Sequence, residues 1–227
     1  MRGAPRVTTW TTRLAPLYDR LPARRIRKGN VANLLWLFWT TTMTRAALVL
    51  LLAAFHSVLA KTCQDYEAIS TVEAQQLDPK KYVRDFWYET LSANVFITHG
   101  CRCTRYNMTL TSNTTFTDVF TCLKGDDVTT LDNHGSFPEE MPGKMVESLG
   151  PVSPPYWVLK TYGDDYDYAL VYACVGALGL TSEYVYMFSR TPTLPADVEA
   201  DMRAHLAEHD LAQDAITRVP MDNCTFS

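Results

Sequence analysis

Acidic side chains are almost missing from the first 60 residues of this 227-residue chain, where Asp19 stands against nine Lys and Arg. Cysteine is missing there altogether. Beyond residue 60 the balance reverses. All six cysteines lie in 61–227, and 24 of the 25 acidic residues face 12 of the 21 basic ones, a formal charge near −12. A body that acidic repels phosphate, which excludes a nucleic-acid partner. The chain also lacks the uninterrupted ~20 apolar residues of a membrane span. Thr40–Thr44 and Arg45 break the stretch from Leu34 to Ala60, so any membrane contact is transient. Residues 61–227 hold no internal repeat and no low-complexity tract, and read as one domain. No Ser/His/Asp constellation is legible, and six cysteines that can all pair leave no thiolate nucleophile. No catalytic residue is assigned and no enzyme is expected.

What replaces these features is a secretory pattern. In "MTRAALVLLLAAFHSVLA" (Met43–Ala60), Arg45 supplies the positive start and Ala46–Phe55 the short apolar core. Val58 and Ala60 are the small residues that precede a cut, so cleavage is expected near Ala60. The 42 residues before Met43 are Arg- and Thr-rich. They are either a leader like an organelle transit peptide or lie upstream of a true start at Met43, the preferred reading. The expected organisation is therefore 1–60, extension and signal, and 61–227, the domain. An even number of cysteines in a secreted domain implies up to three disulfides. Three sequons, at Asn107, Asn113 and Asn223, fit the same secreted, extracellular compartment.

The mature region alternates with period two. Strand composition runs from Tyr82 to Leu91. In 101–112, Cys103, Arg105, Asn107 and Thr109 share one face, and Thr104, Tyr106, Met108 and Leu110 the other. Residues 115–123 alternate again. Residues 126–150 read as two short strands around a Pro-containing bend. "PPYWVLKTY", "YALVYAC" and "EYVYMFSR" complete about eight strands at ten-residue spacing, the pattern of an all-β sandwich or barrel. A helix follows Pro195, with Val198, Met202 and Leu206 on one side. Residues 214–220 read as a last short strand.

In "EYVYMFSR" both faces are apolar: Tyr184, Tyr186, Phe188 and Arg190 on one, Val185, Met187 and Ser189 on the other. Both must be covered. An eight-stranded closed sheet covers one with its own interior, which holds side chains or one small ligand. Arg190 then ends the barrel, stacked on Trp87.

Three stretches resemble the lipocalin family, closest to its apolipoprotein D, bilin-binding and bacterial group. They are "KYVRDFWYE", "PPYWVLKTYGDDYDYALVYAC" and "EYVYMFSRTPTLP", and the resemblance spans about Cys63 to Cys224. It implies an eight-stranded antiparallel up-and-down barrel, a calyx closed at one end, with one C-terminal helix packed outside. It implies a ligand wall of Tyr156, Val158, Ala169, Val171, Tyr184, Tyr186 and Phe188, with Trp87 and Arg190 structural. It also implies that Cys63 pairs with Cys174 and Cys103 with Cys224. Cys101 and Cys122 then remain to join neighbouring strands, a pairing the family does not supply. Because Cys101 and Cys103 share a face in the alternating reading, they can exchange partners. The chain departs from the family at Asp85, which stands where a glycine is usual, and in an Asp-Tyr turn about two residues longer.

His205 and His209 have the i, i+4 spacing of metal ligands. With no third ligand evident they read as solvated helix residues. Asp164, Asp165 and Asp167 read as a solvated turn at the mouth. No metal or cofactor is expected. The resulting reading is a secreted carrier of a small hydrophobic molecule: a lipid, sterol, retinoid, carotenoid or tetrapyrrole. The alternatives are a scaffold for protein partners with a filled barrel, and a lipocalin-like enzyme acting on a lipid or isoprenoid.

Overall fold

The computed structural model describes residues 62–226, apart from 94, 96–97, 149–152, 178–179 and 213–214. The signal and extension expected in 1–60 lie outside the described residues.

Eight strands follow in order: β1 (Phe86–Ala93), β2 (Arg102–Leu110), β3 (Thr115–Lys124), β4 (Asp127–Ser136), β5 (Lys144–Ser148), β6 (Pro155–Tyr162), β7 (Tyr168–Ala177) and β8 (Leu180–Ser189). Each pairs antiparallel with the next, and β8 and β2 both pair with β1, which closes the barrel. A short β9 (Thr217–Arg218) adds to the β1 edge at Leu91 and Ser92. The eight-stranded up-and-down barrel with an outer C-terminal helix is thus the observed fold.

The N-terminal part differs from its sequence reading. Strand composition from Tyr82 gives way to helix α3 (Pro79–Tyr82), after α1 (Tyr66–Ile69) and α2 (Val72–Gln75). Asp78 accepts from the Lys80 amide and Pro79 opens the turn, so local capping overrides β propensity there. These short helices close one end. Ala74, Leu77, Tyr82 and Val83 join the inner core with Trp87. At Gly143 the chain passes so close that a Cβ would strike the Ala74 carbonyl and the Tyr66 hydroxyl.

Two cores result, as the doubly apolar β8 requires. The inner one holds Trp87, Tyr106, Phe116, Phe120, Tyr156 and Phe188. The outer one lies under α4 (Ala196–Glu208), where Met202 and Leu206 meet Leu159, Leu170, Val185 and Met187. His205 belongs to this buried face, a correction to its solvated reading. Its Nε2 lies 2.7 Å from the Ile69 carbonyl oxygen, and burial holds its pKa down. The stripe is wider than Val198, Met202 and Leu206 because α1 also packs on the helix.

The disulfides are Cys63–Cys174, Cys101–Cys122 and Cys103–Cys224. The swap left open by alternation does not occur. Cys103 has φ 57° and sits in a register shift between Arg102 and Arg105, so strict alternation fails there. Cys101 faces the inner core, and Cys103 turns to the C-terminal tail.

Candidate functional site

The closed end is organised around one cation. The Arg190 guanidinium carbon lies 3.6 Å from the centre of the Trp87 ring. Its Nη2 donates to the carbonyls of Lys81 and Tyr82, both at 2.9 Å, and the Trp87 indole N–H donates to Tyr82 O at 3.1 Å. Burial lowers the Arg190 pKa to about 10, which still leaves it charged at neutral pH. The arginine thereby ties α3 to the strand ends. Asp85 enters β1 with φ 49°, so the usual glycine's conformation is kept without the glycine. Asp164, Asp165 and Asp167 belong to this closed end and not to the mouth. Their β6–β7 turn packs by α3, where Lys81 pairs with Asp165 at 3.6 Å and the Arg190 amide donates to Asp167 O.

Above this plug the interior is aromatic and crowded. Phe188 is its hub, stacked near Tyr186 (5.6 Å) and Tyr156 (6.4 Å) and edge-on to Tyr106 (5.1 Å). Phe116 covers Gly135, where a Cβ would strike its ring. Several polar side chains share the space. Glu89 accepts from the Tyr106 hydroxyl at 2.8 Å and the Thr98 hydroxyl at 3.2 Å. Burial raises its pKa. The hydroxyls of Tyr82 and Tyr156 meet at 3.0 Å. Asp118 and Glu147 act on each other across the interior. Burial, then the neighbouring Glu147 charge, push the Asp118 pKa well up, and burial raises that of Glu147. Both Asp118 oxygens and Oε1 of Glu147 lack a hydrogen-bond donor, and the two acids lie close enough to share a proton.

A cavity of about 40 Å³ opens among these groups toward the loops opposite the plug. Its wall includes Tyr106, Phe120, Leu131, Asn133, Glu147, Tyr156 and Tyr186. Of the seven expected wall residues, then, Tyr156 and Tyr186 border it. Val158, Ala169, Val171 and Phe188 are buried in the inner core around it. Tyr184 pairs with Ala173 nearer the β7–β8 loop and is half-buried. The acids were not singled out from the sequence, although alternation marks one. Phe116, Asp118, Phe120 and Cys122 share a face of β3, so an aspartate interrupts an apolar stripe.

All six cysteines are bonded, leaving no thiol nucleophile. On α4, ligand atoms of His205, Glu208 and His209 lie within 4.8 Å of one another. Glu208 thus stands as a third ligand-bearing side chain beside the histidine pair, though His205 spends Nε2 on Ile69. Asn113 and Asn223 are exposed, and Asn107 is half-buried on β2.

No protein-family model matches this chain. No curated protein matches it either. Solved structures do. H1 crustacyanin from the lobster Homarus americanus is 16% identical, with TM-score 0.59 over 71% of this chain and 87% of that one. Insecticyanin from the tobacco hornworm Manduca sexta is 15% identical, with TM-score 0.59 over 73% and 90%. Siderocalin Q83, described as having a dual ligand binding mode, is 15% identical, with TM-score 0.51 over 65% and 96%. These are lipocalins, and the fold of this chain is the lipocalin fold.

Proposed function

We propose that this protein is a secreted lipocalin that binds and carries a small, compact hydrophobic molecule inside its barrel. One observation carries the reading: the inner cavity is bordered by aromatic rings and by Glu147, whose Oε1 has no hydrogen-bond partner. A core filled only for stability satisfies its buried polar groups. Ligand binding by a protein of the same fold, siderocalin Q83, supports the reading. Three disulfides accord with an oxidising compartment, and Asn107, Asn113 and Asn223 are the proposed glycan sites.

The guest enters from the end opposite Arg190. Leu131, 39% exposed, and the half-buried Tyr186 form the outer wall and move aside. Affinity comes from apolar surface removed from water, ~25 cal/mol per Å² before the costs of ordering.

A second reading, a filled barrel that serves as a scaffold for a protein partner, is favoured by the cavity's size. A benzene-sized guest occupies ~150 Å³, against about 40 Å³ here. Fluorescence titration with N-phenyl-1-naphthylamine, an uncharged probe, separates the two. Carriage predicts saturable binding that Leu131→Trp weakens at least tenfold by filling the entrance. No binding to the folded protein would leave the scaffold reading.

A further inference from the structure

The reading above fixes the guest's size and apolar character but not its charge. We propose, resting on that reading, that the guest is a small organic ammonium ion, its head held by Glu147 on the cavity wall, with Asp118 buried beside that carboxyl, and wrapped by the surrounding aromatic rings.

The starting point is an imbalance of charge. The buried ionisable groups of the barrel interior are Glu89, Asp118 and Glu147, and no Lys or Arg is among the buried residues described. Arg190, the nearest cation of the plug, is occupied with Trp87 and the α3 carbonyls. Glu89 has two hydroxyl donors. Asp118 has neither oxygen satisfied at 0% exposure, and Glu147 leaves Oε1 bare at 8%. An unpartnered carboxyl in a dry interior costs ~1–3 kcal/mol or more, so the pair is completed either by a proton held between the two acids or by a donor brought in with a guest. A shared proton is one such completion, and the raised pKa values of both groups fit it.

The surroundings choose among guests. An anion is repelled by the acids. A hard metal ion takes six or more converging oxygens at 2.3–2.6 Å and gains nothing from the Phe120 and Leu131 faces on this wall. An alkylammonium head fits both features at once. It gives charge or N–H donors to the carboxylates, and its substituents meet ring faces, which attract cations for ~0.5–2 kcal/mol each. Tyr106, Phe120, Tyr156 and Tyr186 supply those faces around Glu147.

The test uses phenyltrimethylammonium, whose charge is independent of pH, and tert-butylbenzene, its uncharged isostere. Each is titrated calorimetrically into the intact disulfide-bonded protein at pH 7.5 and 5.0. Titratable groups facing the acid pair are Tyr106 (β2), Tyr156 (β6), Tyr186 (β8) and Tyr82 (α3), and Glu89 (β1) faces Tyr106 and Tyr186 in turn. The tyrosine pKa values are raised, so no tyrosine changes charge across this range. The cation should bind at least tenfold tighter than its isostere at pH 7.5, with that ratio shrinking at pH 5.0. Asp118→Asn and Glu147→Gln should each bring the ratio toward one. Should either variant misfold, the other and the wild-type pH dependence decide. A ratio near one in the wild type, or a ratio unmoved by both substitutions, overturns the ammonium assignment. In that case binding of N-phenyl-1-naphthylamine would keep the carrier reading alive, whereas failure of all three probes removes both.

Discussion

Two carboxyls facing each other in a dry barrel make stability depend on pH in an unusual direction. Glu89, Asp118 and Glu147 all have folded-state pKa values above their ordinary ones, with burial the first cause in each. The folded chain therefore holds protons that the unfolded chain releases. Their stabilising effect is present below the ordinary carboxylate range and is lost as pH rises through the raised folded values. Exposed Asp201 behaves oppositely, since the hydrogen bond from Lys160 lowers its pKa and its contribution vanishes only as pH falls. Urea unfolding at pH 5 and pH 8 should show the wild type losing at least about 1 kcal/mol more than an Asp118→Asn, Glu147→Gln double variant. Equal losses would mean the pair is not protonated in the fold. At this scale the sequence was half legible. The tyrosines of β8 and the Arg190 that ends it announce themselves through alternation. Asp118 stands in an equally clear stripe, but whether an inward acid is solvated, paired or left bare depends on where β4 and β5 place Asn133 and Glu147, which alternation within β3 does not show.

Among the elements, the strands follow their pattern and the closing pieces do not. Alternation in β7 and β8 assigns inner and outer faces well because each face meets its own core, and in β3 because one face is buried and the other half-exposed. The plug helices are four residues each, too short for periodicity to show, and are held by caps at Thr71 and Asp78. Alternation also misleads at Cys103, where one residue with positive φ reverses the face. The disulfides accordingly do different work. Cys63–Cys174 closes a separation of 111 residues and anchors the segment before the plug, whereas Cys101–Cys122 closes 21 between adjacent strands. Chain-entropy arguments give the longer closure the larger effect, by about 1.5 kcal/mol. Replacing these two pairs by serines in turn and comparing thermal unfolding should rank Cys63–Cys174 as the costlier loss of the two. The reverse ranking would show that the β2–β3 bridge holds native packing that its loop length does not reveal.

For the molecule as a whole, strand count, barrel closure and the outer helix were readable because one sheet had to cover two apolar faces. The state of the interior was not readable. Free volume depends on how Phe188, Tyr186, Tyr156 and Phe116 tilt against one another, and those angles are set by tertiary contacts. The central claim is that a guest lies within the barrel and not on its outer face under α4. Neighbouring methyl groups on the same strands report this directly: Val158, Ala169 and Val171 line the inner core, while Leu159 and Leu170 line the outer one. Methyl-labelled protein titrated with N-phenyl-1-naphthylamine and followed by NMR should show saturable shifts in the inner set and little change in the outer. Shifts confined to Leu159 and Leu170, or none in either set, would contradict the account.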